Sequence, residues 1–187
     1  MLDKKTFRAE ISARIAALDS DYIAESDRAI LERLLELPEF INAPRVFTYL
    51  SVGREVDTVG LIEHCRRLGK TLALPISREN GAMSFALLEG ALSELPVGRY
   101  GIPSPREGSN ELIPENGDII IVPALSCDVE GYRLGHGGGY YDRYLAACKA
   151  FSVGLCRETL MSVRLPRDEF DIRLNCLVTE KRIARPK

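Results

Sequence analysis

The stretch DIIIVPAL, residues 118–125, constrains the fold more than any other part of this sequence. A run of apolar, largely β-branched side chains leaves no polar face for water, so a strand built from it is central and covered on both sides. The rest of the chain supplies the cover in alternation. Residues 4–18 predict a helix with Phe7, Ile11, Ile15 and Leu18 on one face and Lys4, Lys5, Arg8 and Arg14 elsewhere on its surface. A second helix is expected over residues 21–37, stopped by Pro38. RVFTYL (45–50) reads as the first strand. Asp57 or Thr58 then caps a helix reaching Leu68, and Gly69 suits its end. TLALP (71–75) and MSFALL (83–88) are further strands. Residues 89–116, rich in Pro, Gly and Glu, form a long connection expected to fold over something. YYDRYLAAC (140–148) reads as a helix, and FSVGL (151–155) and CLVTE (176–180) as the last strands. Strands alternating with helices predict a mostly parallel sheet with helices on both faces.

Composition narrows the function classes. The apolar share of 45% supports a sizeable core, and 187 residues without a repeat or low-complexity tract predict a single domain over 1–187. A formal charge of -2 gives no general attraction to nucleic acid or acidic membranes. The opening MLDKKTFRAE lacks the apolar core of a signal peptide, and no apolar run approaches a membrane span. The five cysteines form no C-x-x-C pair and read as free thiols, so a cytoplasmic protein is expected, with no disulfide frame or zinc site.

The segment GYRLGHGGGYYDR (131–143) follows the central strand and leads into a helix. In an open α/β sheet the ligand crevice lies beyond the carboxyl ends of the strands. Glycines there can aim backbone N–H groups at an anion, or serve plain turn geometry, and spacing alone leaves both open. The segment is not a P-loop, since no Lys-Ser or Lys-Thr follows. It is not a dinucleotide fingerprint either, because Tyr140 stands where the third glycine belongs.

The longer stretch GYRLGHGGGYYDRYL resembles the signature of the 5-formyltetrahydrofolate cyclo-ligase family. The likeness also includes KKTFR (4–8), REVDT (54–58), GKTLALP (69–75), MSF (83–85), YGIPSP (100–105), DIIIVPALSCD (118–128) and FDIRLNCLVTE (170–180), in order along nearly the whole chain. The resemblance implies a three-layer α/β/α sandwich that converts 5-formyltetrahydrofolate to 5,10-methenyltetrahydrofolate, with ATP hydrolysed to ADP and phosphate under Mg²⁺. It implies nucleotide contacts from Lys4, Arg8, Arg133, Gly135, His136, Gly137, Gly138, Gly139, Tyr140 and Tyr141, with Arg133 and Tyr140 at the reacting groups. Asp142 and Asp171 would hold the metal. Glu55 would accept hydrogen bonds from the pterin, Leu50, Met83 and Tyr100 would wall the ring and aminobenzoyl group, and His136 would lie between nucleotide and folate. His64 is expected to be structural, and Cys127 a small buried hydrophobe and not a nucleophile. Arg8 and Arg133 are both expected at the surface. A monomer or weak dimer with small-molecule partners is expected.

The chain departs from the family's usual pattern at three places. Glu158-Thr159-Leu160 puts Leu160 where Gln is common, which removes a polar contact expected near the nucleotide. Phe170 precedes Asp171 where His is frequent, and Ser126-Cys127-Asp128 replaces a more apolar loop. A family member that binds nucleotide or folate without cyclising it is the alternative reading. A sugar-phosphate isomerase of similar architecture would need a base and a phosphate pocket, neither identifiable in the sequence.

Overall fold

A computed structural model of the protein describes residues 3–186. The elements in chain order are α1 (Lys4–Ala16), α2 (Ser20–Leu35), α3 (Pro38–Asn42), β1 (Arg45–Phe47), α4 (Val59–Arg67), β2 (Thr71–Ser77), β3 (Met83–Leu87), β4 (Glu111–Leu112) and β5 (Ile119–Val122). There follow β6 (Ser126–Cys127), β7 (Arg133–Leu134), α5 (Tyr140–Leu145), β8 (Phe151–Leu155), β9 (Cys176–Val178) and β10 (Ile183–Ala184). Eight strands form one sheet in the order β10-β9-β8-β5-β1-β2-β3-β4. The run from β9 to β2 is parallel throughout. β10 on one edge, and β3 with β4 on the other, are antiparallel additions.

The apolar run sits at the centre, and all four residues of β5 are buried. Its side chains alternate between two cores, as a strand's geometry requires. Ile119 and Ile121 join Val46, Leu72 and Leu74 beneath Ile30, Leu34, Phe40, Leu61 and Ile62, the layer of α2, α3 and α4. Ile120 and Val122 join Phe47, Ala73 and Phe85 on the opposite face, where Tyr141, Tyr144 and Leu145 of α5 cover them. Helix α1 also sends Ile15 to that face, but its fully buried Ile11 packs mainly with Leu125, Leu134 and Leu165. The architecture is the expected mostly parallel α/β sheet with helices on both faces. Among the described residues no helix is long and apolar enough to cross a membrane.

Several boundaries differ from the sequence expectation for physical reasons. The central strand stops at Val122 because Pro123 cannot donate to the ladder, and the chain then turns into a small hairpin of β6 and β7. Pro38 ends α2 and also opens α3, since a proline suits the first turn of a helix. Of the two candidate caps for α4, Asp57 acts: its carboxylate accepts from Val59 N at 3.2 Å and Gly60 N at 3.1 Å. Thr58 Oγ1 instead donates to Tyr49 O at 2.7 Å.

The winding creates a crevice. β1 continues through α4 to β2 on one side of it, whereas its other neighbour β5 continues through α5 to β8 on the opposite side. The loops leaving the carboxyl ends of β1 and β5 therefore diverge, and a ligand can enter between them.

Candidate active site

A cleft of about 1410 Å³ opens at this switch point. Every residue singled out as a site candidate in the sequence lines it: Lys4, Arg8, Leu50, Glu55, Met83, Tyr100, Arg133, Gly135, His136, Gly137, Gly138, Gly139, Tyr140, Tyr141, Asp142 and Asp171. They come from α1, from the loop after β1, from β3, from the long connection, from β7 through α5, and from the loop before β9. The long connection does fold over something: Tyr100, Ile102 and Pro103 form part of the cleft wall.

Part of the cleft lining is charged. Arg133, on β7, places Nη1 3.1 Å from Asp142 Oδ1 and donates to Ile172 O at 3.4 Å. Asp142 lies in the first turn of α5 and also accepts from Ile172 N at 3.2 Å. Lys4 Nζ lies 2.6 Å from both oxygens of Asp171 and 2.8 Å from Asp168 Oδ2. Burial disfavours the Lys4 ammonium, but the two carboxylates outweigh that and hold its pKa above the ordinary lysine value. Arg8, one turn along α1, donates from Nε to Gly135 O at 2.8 Å.

The glycine loop is shaped from outside. Gly137 and Gly139 have φ of +98° and +67°, which side chains with a Cβ rarely adopt. Arg143 donates to Gly138 O and to Gly81 O, the latter at 3.0 Å. In a trans peptide the carbonyl and the following N–H point opposite ways. Arg8 on Gly135 O therefore turns the His136 amide away from α1, and Arg143 on Gly138 O turns the Gly139 amide away from itself. Among the described residues, none accepts a hydrogen bond from the amides of Gly137, Gly138 or Gly139. Unpartnered amides entering a helix suit an anion.

Part of the lining is apolar, from Leu50, Met83, Ile102 and Pro103. Glu55 also lines the cleft. Glu55 Oε2 accepts from Val52 N at 3.0 Å, and Oε1 lies 3.4 Å from His136 Nε2. The Tyr100 and Tyr140 hydroxyls meet at 3.0 Å, linking the long connection to α5, and Tyr140 donates to Arg78 O at 3.1 Å. Among the described residues the buried Tyr141 hydroxyl has no hydrogen-bond partner, and burial pushes its ionisation far up, so it stays a neutral phenol.

Two sequence expectations are corrected. Arg133 is not at the surface: its side chain is only 4% exposed, clamped between Asp142 and the backbone of Ile172. Leu160 removes no polar contact from the cleft, because it lies buried in the core and does not line the cavity. Phe170 does line it, 74% exposed. Cys127 is a buried thiol whose hydrogen bond with Cys156, together with burial, pushes its pKa well up, which removes it as a nucleophile. His64 packs against Phe40, at 6.4 Å between rings. Sequence reasoning missed Asp168, the second partner of Lys4, and Arg143, the clamp on the glycine loop. The available signal for Arg143 is its place one turn after Gly139.

The model of the 5-formyltetrahydrofolate cyclo-ligase family matches residues 1–180. The 5-formyltetrahydrofolate cyclo-ligase of Escherichia coli K12 is 32% identical over 178 residues, covering 92% of this chain and 98% of the relative. A probable 5-formyltetrahydrofolate cyclo-ligase of Schizosaccharomyces pombe is 28% identical over 200 residues, 98% of each chain. The solution structure of Aquifex aeolicus 5,10-methenyltetrahydrofolate synthetase superposes with a TM-score of 0.82 at 34% identity, covering 97% of this chain and 92% of that one. A charged, glycine-lined cleft at the switch point of the sheet and a match along almost the whole length lead to one assignment: this chain belongs to the 5-formyltetrahydrofolate cyclo-ligase family.

Proposed function

We propose that the protein cyclises 5-formyltetrahydrofolate to 5,10-methenyltetrahydrofolate, consuming ATP with Mg²⁺ and releasing ADP and phosphate. The observation that carries this is one cleft lined both by cations with open glycine amides and by apolar side chains with Glu55 among them. The first suits a triphosphate and the second an amino-pyrimidinone ring on an apolar tail. Buried or half-buried thiols accord with a cytoplasmic setting.

The chemistry needs no nucleophile from the protein. The formyl oxygen attacks the γ-phosphorus and ADP leaves, giving an N5-iminium phosphate. N10 then adds its electron pair to the iminium carbon and loses its proton. Phosphate departs with the former formyl oxygen, leaving the methenyl bridge. The protein's part is positioning and charge neutralisation. Lys4, Arg8 and Arg133 surround the phosphates, the amides of Gly137 to Gly139 receive phosphate oxygens, and the buried Tyr141 hydroxyl supplies a further donor. Tyr140 orients the reacting groups beside them. Glu55 accepts from the pterin N–H groups, while Leu50, Met83 and Tyr100 hold the rings and His136 lies between the two substrates.

Asp142 and Asp171 fit a magnesium ion. Both are hard oxygen donors lining the cleft, paired here with Arg133 and Lys4, which would share them with the ion. Mg²⁺ usually takes one or two carboxylates and completes its shell with phosphate oxygens and water. When bound, it neutralises phosphate charge. The test is purified protein with ATP, Mg²⁺ and 5-formyltetrahydrofolate. Methenyltetrahydrofolate, read by its near-ultraviolet absorbance, should form only when both ATP and the ion are present. Binding of both substrates without product would favour the non-catalytic alternative.

A further inference from the structure

Arg157 lies just beyond β8 and outside the cleft lining, yet its side chain is 2% exposed. A buried guanidinium is unfavourable unless its nitrogens are matched, and here each of the three has a partner. Nε donates to Ser26 Oγ at 3.0 Å, and Nη2 meets Asp27 Oδ1 at 2.5 Å. The remaining donors reach the loop after β1: Nη1 bonds Arg54 O at 3.0 Å, and Nη2 bonds Glu55 O at 3.3 Å.

Those two carbonyls belong to the peptide planes on either side of the Glu55 Cα. A residue's φ and ψ are set by the orientation of those two planes, so one rigid fork restrains both torsions of Glu55. The Glu55 carboxylate is then aimed by its own backbone and by the Val52 amide. Arg157 is itself anchored at its root. The next amide, Glu158 N, donates to Glu180 Oε2 at 2.8 Å, and Cys156 N donates to Val178 O at 3.1 Å, tying it to β9 and the turn beyond.

We propose that Arg157 is a positioning residue for folate recognition, fixing the direction of Glu55 from behind the cleft wall. This rests on the reading of Glu55 as the pterin's acceptor. Among the described residues Arg157 makes no hydrogen bond to the glycine loop, whose one link to this arrangement is His136 at 3.4 Å from Glu55, so its effect should fall mainly on the folate.

The test uses calorimetric Kd values for 5-formyltetrahydrofolate and for ATP, each measured without the other, so that it stands apart from turnover. Arg157→Lys keeps the charge but cannot span two carbonyls, Ser26 and Asp27 together. It should weaken folate binding about tenfold or more, as a small misplacement of a recognition group does, and leave the ATP Kd within about twofold. Glu55→Ala should weaken folate binding by itself, and add little in the Arg157→Lys background, because the two act as one unit. Equal weakening of both substrates by Arg157→Lys, or no weakening of folate, would overturn the proposal. So would fully multiplicative effects in the double variant. An unchanged folate Kd in Glu55→Ala would remove the reading of Glu55 itself, and that single variant identifies this outcome. If Arg157→Lys does not fold, Ser26→Ala releases only the Nε bond. It should still weaken folate selectively, and an unchanged folate Kd there would overturn the proposal.

Discussion

On the β1 side of the cleft, residues 51–57 are tied by their own side chains. Ser51 N donates to Thr58 Oγ1 at 3.0 Å, Thr58 N to Ser51 Oγ at 3.1 Å and Val52 N to Glu55 Oε2 at 3.0 Å, while Arg157 grips two carbonyls from behind. On the β5 side, Gly137, Gly138 and Gly139 have no side chains of their own to bond with. Arg8 and Arg143 hold two of the loop's carbonyls, and among the described residues the amides of Gly137 to Gly139 have no acceptor. The first wall is held in shape by its own side chains and by Arg157. The second would gain acceptors for those amides from the anion proposed above. One wall is shaped by side chains within it, the other by arginines that reach its carbonyls from outside.

The sharpest way to break this contrast is Arg133→Ala. It should weaken ATP binding by roughly 1.5–3 kcal/mol, the worth of a charge-assisted hydrogen bond, and leave folate affinity alone. Because Arg133 is buried against Asp142, the variant should also melt lower than the parent, unlike Arg8→Ala at its half-buried position. Equal losses for ATP and folate in calorimetry would mean that the walls are not separate.

Gly138→Ala comes next. Gly138 does not lie at positive φ, so its alanine escapes the strain expected at Gly137 and Gly139. The added Cβ would stand 2.8 Å from the Tyr140 ring, forcing the ring to shift beside the open amides. The apparent KM for ATP should rise about tenfold, equivalent to ~1.4 kcal/mol, while the melting temperature stays within a few degrees. Parental ATP kinetics with a shifted melting temperature would reduce the loop to a turn. Asp142→Asn sharpens the same point: excess Mg²⁺ should partly restore its rate and not that of Gly138→Ala.

The smallest effect belongs to the tied wall. Asp57→Ala removes the cap of α4 and should lower stability by about 1 kcal/mol in denaturant unfolding, with ATP kinetics unchanged. A raised KM for ATP would show that the β1 loop reaches the nucleotide end.

What could be read without coordinates follows from how local each signal is. The burial of β5, the apolar face of α1 and the Gly69 helix end are written in neighbouring residues, and the glycine segment carries its own pattern. The hairpin of β6 and β7 was illegible because strands of two residues show no alternation. α3 was hidden because Pro38 both stops one helix and starts another. The burial of Arg133 and the role of Arg157 were illegible for a deeper reason. An arginine reads as a surface residue until its partners are known, and those of Arg157 lie on α2 and the β1 loop, more than 100 positions away.

The sheet's two antiparallel ends also bear on solubility. A parallel sheet of this kind, left open, would show a long row of bare N–H and C=O groups to any other chain with an extended segment. Here the outermost strands, β4 and β10, are two residues each. β4 carries Glu111, ion-paired with Arg78. β10 is bracketed by Arg182, paired with Glu158, and by Arg185, paired with Glu39, with Pro186 beyond. Short, charged, proline-ended borders give a foreign strand little to add to, so the sheet that aims the cleft does not template its own aggregation.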